Sequence, residues 1–248
     1  MEQLRDKESG CEWDKEQTFQ SISPFTIEEA YEVADAIAKN NPEDIKQELG
    51  DLLLQVIFLS QIAKEDGLFD FEAVCIAITN KLIYRHPYVF SDKREHTSEE
   101  QLASWEDSKA KERKGKKLNS LMDDIALNLP ALMRSQKIQK RASRVGFDWN
   151  SIKGYFQKVE EEILELKQAI ENKDSENIEE EVGDIFMILS NLARHLKVDA
   201  ENALDKSNRK FEKRFRFIES ELRKKGSSPD KSSLEEMDKL WDEAKLID

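Results

Sequence analysis

Apolar side chains recur along this chain at three- and four-residue steps. Ile45, Leu49, Leu52, Leu53, Val56, Leu59 and Ile62 all fall on one helical face at that spacing, the pattern of an element that buries one stripe and leaves the other in water. Alternating β-branched runs are nearly absent, and only Tyr88-Val89-Phe90 leaves room for a short ribbon. Helix starts are also marked. Asn41-Pro42 ahead of Glu43-Asp44 supplies a cap, a proline at the first helical position and negative charge at the positive end of the helix dipole, and similar starts occur at Asp70 and Asp199. The pattern predicts helices over roughly 26–40, 42–65, 71–85, 98–112, 130–144, 151–172, 175–196, 200–225 and 233–245. The fold class is therefore all-α with bundle packing.

Superimposed on this pattern is an internal repeat. Glu28-Glu29-x-x-Glu32 followed by Glu48-x-x-Asp51 returns as Glu161-Glu162-x-x-Glu165 followed by Glu181-x-x-Asp184, every position displaced by 133 residues. With Gly50 and Gly183 also preceding the two aspartates, coincidence falls to roughly a few tenths of a per cent, so the copies are real. Lys81-Leu82-x-x-Arg85 answers Lys210-Phe211-x-x-Arg214, and Trp105-Glu106-x-x-Lys109 answers Trp241-Asp242-x-x-Lys245. Each half reads as one helical module, 1–118 and 119–248, with the join near 115–128.

Composition narrows the function. The 248 residues carry 52 acidic against 39 basic side chains, a net charge of −13 that argues against a broad nucleic-acid surface, so no stable nucleic-acid binding is expected. The basic run Lys109–Lys117 reads as a solvated helix end or linker. No apolar run approaches the roughly 18 residues that cross a bilayer, and MEQLRDKESG has no apolar signal stretch behind it, so a soluble cytoplasmic protein without membrane partners is expected. Cys11 and Cys75 have neither CxxC spacing nor a histidine pair nearby, and they read as buried or indifferent thiols.

The repeated acids have a chemistry of their own. On a helix, residues three or four apart share a face, so Glu29 with Glu32, Glu48 with Asp51, Glu162 with Glu165 and Glu181 with Asp184 form forked carboxylate pairs. Two such pairs on antiparallel helices converge as four carboxylates, which repel one another unless a hard divalent cation, Mg²⁺ or Mn²⁺, sits between them. A di-iron bundle is the rival, but it needs Glu-x-x-His, and none of His86, His96 and His195 has a glutamate three residues earlier. A Glu-Glu-x-x-Glu string is most often only a solvated face. Here it is repeated at fixed spacing and followed by Glu-x-x-Asp in an apolar helix, and the glycine beside each aspartate points to a closely approaching helix or ligand. Lys210 and Arg214, one turn apart, present two cations to a phosphate, or else form an ordinary surface pair. Trp241 is a core residue or a stacking surface for a base. No Walker loop, GxGxxG or HExxH is present.

These residues resemble those of the MazG-type all-α nucleoside triphosphate pyrophosphohydrolases. The resemblance rests on EExxE with ExxD starting sixteen residues after its last glutamate, and on the Lys-x-x-x-Arg pair. Cys11-Glu12-Trp13-Asp14, Arg85-His86-Pro87, Leu129-Pro130-Ala131-Leu132 and Gly146-Phe147-Asp148-Trp149 extend it to the two-copy bacterial form over nearly the whole chain. It implies two tandem helical modules, and Mg²⁺-dependent cleavage of (deoxy)nucleoside triphosphates to a monophosphate and pyrophosphate. A homodimer and a role in limiting nucleotide pools are implied with them. Carried over by position, it implies Glu162, Glu165, Glu181 and Asp184 as metal ligands, and Lys158, Glu161, Lys210, Arg214 and Trp241 as holding the triphosphate or base. Glu161, Glu162, Lys210 and Arg214 are the expected catalytic set, with Glu161 orienting the attacking water. The first copy has Phe25 where the second has Lys158, which puts its turnover in doubt while leaving Glu29, Glu32, Glu48 and Asp51 as metal ligands. A non-catalytic helical nucleotide- and metal-binding sensor or scaffold is the alternative, and an oxidised or alarmone-type nucleotide is a further substrate option.

Overall fold

A computed structural model describes residues 1–90, 97–98, 100–101, 104–105, 108, 111–112 and 118–247. They form two compact units, Met1–Lys116 and Lys117–Asp248. Among the described residues the first unit holds α1 (Glu12–Glu16), α2 (Phe19–Lys39), α3 (Pro42–Glu65), α4 (Phe71–Arg85) and α5 (Pro87–Phe90). The second holds α6 (Ala131–Ser143), α7 (Ile152–Asn172), α8 (Ser175–His195), α9 (Ala200–Lys224), a 3₁₀ turn (Pro229–Lys231) and α10 (Leu234–Lys245).

The caps act where the sequence places them. Asn41 accepts from the Glu43 amide, Asp70 from that of Ala73 and Asp199 from that of Asn202. Four expectations are corrected or fall partly outside the described residues. The ribbon at Tyr88-Val89-Phe90 is a short helix, because Pro87 at its start favours helical backbone. Helix α2 begins at Phe19 rather than near 26, since the Thr18–Ser21 capping box starts it, and Pro24 lies inside the helix. Of the helix predicted over 98–112, the described residues 98, 100–101, 104–105, 108 and 111–112 are helical, while the rest, Glu106 and Lys109 among them, lie outside the described residues together with most of the Lys109–Lys117 run. Both cysteines are free and exposed, not buried.

Each unit is built on a helical hairpin. Between α2 and α3 the chain reverses at Asn40, and between α7 and α8 at Lys173, 133 residues on; both residues are left-handed, with φ of 54° and 57°. The pairing is antiparallel: Ile22 packs with Phe58 and Ile62, while Glu29 meets Gln55 closer to the turn. In the second unit α6 lies against α8, where Ser190 donates to the Leu132 carbonyl at 3.2 Å and Gln136 Nε2 donates to that of Ser190 at 3.3 Å. Helices α9 and α10 close on Ile218, Leu222 and Leu240, with Phe215, Met237 and Trp241 around them.

The entrance to the second hairpin is fixed by a buried polar network. Tyr155 is fully buried; its hydroxyl donates to Asp148 at 2.6 Å and receives Arg194 Nη2 at 3.2 Å, while Arg194 also pairs with Asp148 at 2.6 Å and donates to Asn191 at 2.7 Å. Burial pushes the Tyr155 phenol up to about 12, assisted by the bond to Asp148. Burial opposes ionisation of Asp148, but the bonds from Tyr155 and Arg194 outweigh it and hold the carboxyl below its ordinary value. No helix among the described residues is long and apolar enough to cross a membrane.

Leu222, with no exposed surface, is a core position of this packing. Leu222→Ala is expected to cost about 2–5 kcal/mol in urea unfolding of the full chain. Leu246→Ala, at a side chain 87% exposed, is expected to stay within about 0.5 kcal/mol of the parent.

Candidate metal and nucleotide site

The hairpins bring the repeated acids together in the same way in each unit. Glu162 and Glu165 on α7 and Glu181 on α8 each offer a carboxylate oxygen, all within 4.8 Å of one another; Glu29 on α2 and Glu48 and Asp51 on α3 do the same. Glu162 is 3% exposed, a burial that its ion pair with Lys158 at 2.8 Å makes tolerable. The fourth acid of each set stands just outside the trio. Glu32 adds repulsion to Glu29 and Glu48, and Asp184 adds it to Glu181.

That repulsion has a direction. Burial first, then neighbouring carboxylates, push Glu165, Glu181, Glu29 and Glu48 above the ordinary value of 4.5. A set of all-oxygen donors too close to ionise comfortably fits a hard divalent cation, which removes the repulsion and satisfies the oxygens. No histidine or cysteine belongs to either group, so the softer transition-metal sites have no support among the described residues.

Lys158 distinguishes the copies. Its ammonium reaches Glu161 at 2.7 Å and Glu162 at 2.8 Å, and these two hydrogen bonds raise its pKa. Glu161 therefore faces this lysine and lies outside the trio. At the matching place in the first unit stands Phe25, and Glu29 is instead reached by Gln55 Nε2 at 3.3 Å. The first cluster has no lysine at that position to offset its charge.

The basic and aromatic residues form a second group on α9 and α10. Arg214 lies over the Trp241 ring at 5.4 Å, Phe211 meets the same ring at 5.1 Å, and Lys210 is exposed on α9. Trp241 is partly buried against the Ile218–Leu222–Leu240 core, so it packs on one side and carries a cation on the other. In the first unit Arg85, the counterpart of Arg214, is held by Glu112 through bonds of 2.8 and 2.5 Å.

One reading of the glycines is corrected. A Cβ at Gly50 or Gly183 would meet nothing within 4 Å, so neither marks the close approach of a neighbouring helix. Gly183 instead borders an open, mainly apolar cavity of about 680 Å³ between α6, α8 and α9. The Asp148–Tyr155–Arg194 network carries no repeat or motif signal beyond Asp148 itself, because its members are joined only by the fold.

With chelator present, Glu181→Gln is expected to raise the Tm relative to the parent by an amount that grows with pH. A carboxyl whose folded pKa is raised contributes stability below its unfolded value, near 4.5, and loses it as pH rises through the folded value. Thermal melts between pH 4.5 and 8 check this; a pH-independent difference contradicts it.

Residues 17–90 and 150–216 match the MazG nucleotide pyrophosphohydrolase domain, once in each unit. The chain is 50% identical over 249 residues to a nucleoside triphosphate pyrophosphohydrolase of Escherichia coli K12, covering 99% of this chain and 94% of that one. It is 46% identical to the nucleoside triphosphate pyrophosphohydrolase/pyrophosphatase MazG of Thermotoga maritima, over 99% of this chain and 92% of the other. A Mycobacterium tuberculosis nucleoside triphosphate pyrophosphohydrolase matches at 38% over 54% of this chain and 41% of its own length. Two matching segments on two acid-bearing hairpins, with full-length relatives alongside, place the chain in the MazG nucleotide pyrophosphohydrolase family.

Proposed function

We propose that the second unit hydrolyses (deoxy)nucleoside triphosphates between the α- and β-phosphates, giving a nucleoside monophosphate and pyrophosphate and so limiting nucleotide pools. The observation that carries this reading is the convergence of buried Glu162 with Glu165 and Glu181 inside a segment that matches the family. The names of the full-length relatives support the same reaction.

Glu162, Glu165, Glu181 and Asp184 are the residues that would hold a divalent cation, Mg²⁺ being the best match to an all-carboxylate set and Mn²⁺ a substitute. Such an ion, when bound, supplies charge neutralisation for the phosphates and lowers the pKa of a coordinated water. The chain's own residues do the rest. Lys158, already placed on Glu161 and Glu162, is positioned to exchange a carboxylate for a phosphate oxygen. Glu161, freed by that exchange, orients the water that attacks phosphorus. Lys210 and Arg214 neutralise charge on the departing pyrophosphate, and Trp241 offers the base a face beside Arg214.

Exposed Leu164, Phe186 and Phe211 on α7, α8 and α9 support a homodimer as the working form. A role in nucleotide pools places the enzyme in the cytoplasm.

Asp184→Asn is expected to lower metal-dependent pyrophosphate release at least about 100-fold while helical content by circular dichroism stays unchanged. Asp51→Asn is expected to retain most of the release, and EDTA to abolish it in the parent. Full activity in Asp184→Asn would reject the second unit as the site of turnover.

A further inference from the structure

A basic cavity lies in the second unit, away from the acids. It has a volume of about 390 Å³ and is formed between α6 and the connection from α8 to α9. Lys137, Lys140, Lys197 and Arg194 line it, with Asp199 as the one carboxylate among the lining residues. In a chain of net charge −13, four cations gathered in one hollow run against the overall balance. Arg194 stands thirteen residues beyond Glu181 on α8, about 20 Å along the helix axis, so the cavity is separate from the carboxylate trio.

The walls are held in place by the fold. Met133, Gln136, Lys137 and Lys140 follow one another at three- and four-residue steps, so one face of α6 supplies the first wall. Gln136 fixes it to the second: its Nε2 donates to the carbonyls of Ser190 at 3.3 Å and Val198 at 2.9 Å, and its Oε1 accepts from the Ala200 amide at 3.3 Å. Helix α8 ends in a Schellman closure, with the Val198 amide on the Ala193 carbonyl at 2.8 Å and the Lys197 amide on that of Arg194 at 3.0 Å. Lys197 takes the left-handed position of that closure, at φ 60°, and this sets the backbone from which it lines the cavity. Arg194 is anchored as well: Nε and Nη2 bond Asn191, Asp148 and Tyr155, while Nη1 takes part in none of these bonds.

The charge here has no internal answer. Lys137 and Lys197 are exposed, and neither side chain makes an ion pair or hydrogen bond among the described residues. Asp199 already accepts from the Asn202 amide at 2.9 Å as the cap of α9. In the first unit, 133 residues earlier, Lys197 and Arg194 correspond to Lys64 and Gln61, and there Lys64 is paired with Glu2. The character of the cavity narrows its occupant. Ammonium groups are point charges that suit tetrahedral phosphate, whereas a planar carboxylate favours a forked guanidinium, and the one present is engaged with Asp148. Three lysines against one carboxylate match an anion of two or more charges. The volume falls within the roughly 300–1,000 Å³ of small-molecule sites, more than a single phosphate fills. No aromatic side chain is among the lining residues, so a base finds no stacking surface.

We propose that the cavity between α6 and the α8–α9 connection binds a condensed phosphate, free pyrophosphate or the polyphosphate chain of a nucleotide, through Lys137, Lys140 and Lys197 and without a metal ion. Gln136 and Arg194 join the cavity to the start of α9 and to the Asp148–Tyr155 network, so an occupant steadies the end of the α7–α8 hairpin that lies away from the acids. That such anions arise at this molecule's own acids rests on the function proposed above; the charge and shape of the cavity do not.

Equilibrium dialysis of the full chain against radiolabelled pyrophosphate in EDTA tests it, because without metal the carboxylate clusters repel phosphate. One saturable equivalent per chain is expected, weakened at least about tenfold in Lys137→Gln/Lys197→Gln, which removes two charge-assisted contacts at exposed positions. Lys210→Gln/Arg214→Gln, remote from the cavity, is expected to bind within about twofold of the parent, and the Lys137→Gln/Lys197→Gln protein to keep Mg²⁺-dependent pyrophosphate release from ATP within the same margin. Orthophosphate is expected to compete at least about tenfold more weakly than pyrophosphate, having lost the second charged group. Competition by α,β-methylene-ATP as strong as by pyrophosphate assigns the nucleotide chain as an occupant, and weaker competition assigns free pyrophosphate. The proposal is overturned by any of four binding results: no saturable binding, binding unchanged in the Lys137→Gln/Lys197→Gln protein, binding lost in Lys210→Gln/Arg214→Gln, or orthophosphate as effective as pyrophosphate. An oligonucleotide that displaces pyrophosphate at lower concentration, or a larger loss of release in the lysine variant, would overturn it too. Full pyrophosphate release in Asp184→Asn would instead overturn the assignment of turnover, while dialysis in EDTA still judges the cavity.

Discussion

Carboxylates packed closer than they can comfortably ionise are the constraint around which each half of this chain is arranged. Three of them approach within 4.8 Å across a helical hairpin in both units, and burial adds to their mutual repulsion. Such a cluster is unfavourable when empty, so the hairpin must be held by other interactions. In the second unit the Tyr155–Asp148–Arg194 network clamps the start of α7 to the end of α8, well away from the acids along the hairpin. In the first, Ile22, Phe58 and Ile62 do this with apolar contact, and Arg5 adds its bond to Glu65. Stability lies at one end of each hairpin and the strained chemistry nearer the turn.

The same hairpin geometry accounts for the asymmetry of the copies. Lys158 supplies an internal counter-charge that a bound cation and a polyphosphate together can displace, so the second cluster is poised for exchange. Phe25 supplies none, and the space beside Glu29 is walled with aromatic rings instead. Duplication thus preserved the metal-type donors and left their surroundings free to diverge.

Much of this was legible in the sequence, for identifiable reasons. The helices follow from three- and four-residue apolar spacing, and the convergence of Glu162, Glu165 and Glu181 follows from i, i+3 geometry on two helices joined by a two-residue connection. Family membership was legible in the same acids. The expectation of a helix pressed against each glycine failed because a missing side chain marks either tight packing or open space, and the spacing of residues in the sequence does not separate the two. The early start of α2 comes from the Thr18–Ser21 capping box, in which Ser21 rather than a glutamate closes the box, a weaker signal in the sequence. Asp148 stood in a motif, but its bonds to Tyr155 and Arg194 were not legible because these residues meet only through the fold.

The most direct measurement of the central claim is a Mn²⁺ titration of the full chain followed by electron paramagnetic resonance, without nucleotide, in the parent and in a Glu162→Gln/Glu181→Gln double variant. The account predicts bound Mn²⁺ in the parent and loss of the second unit's share in the variant, with the share held by Glu29, Glu48 and Asp51 remaining. Equal Mn²⁺ binding by both proteins, or none by either, would contradict it.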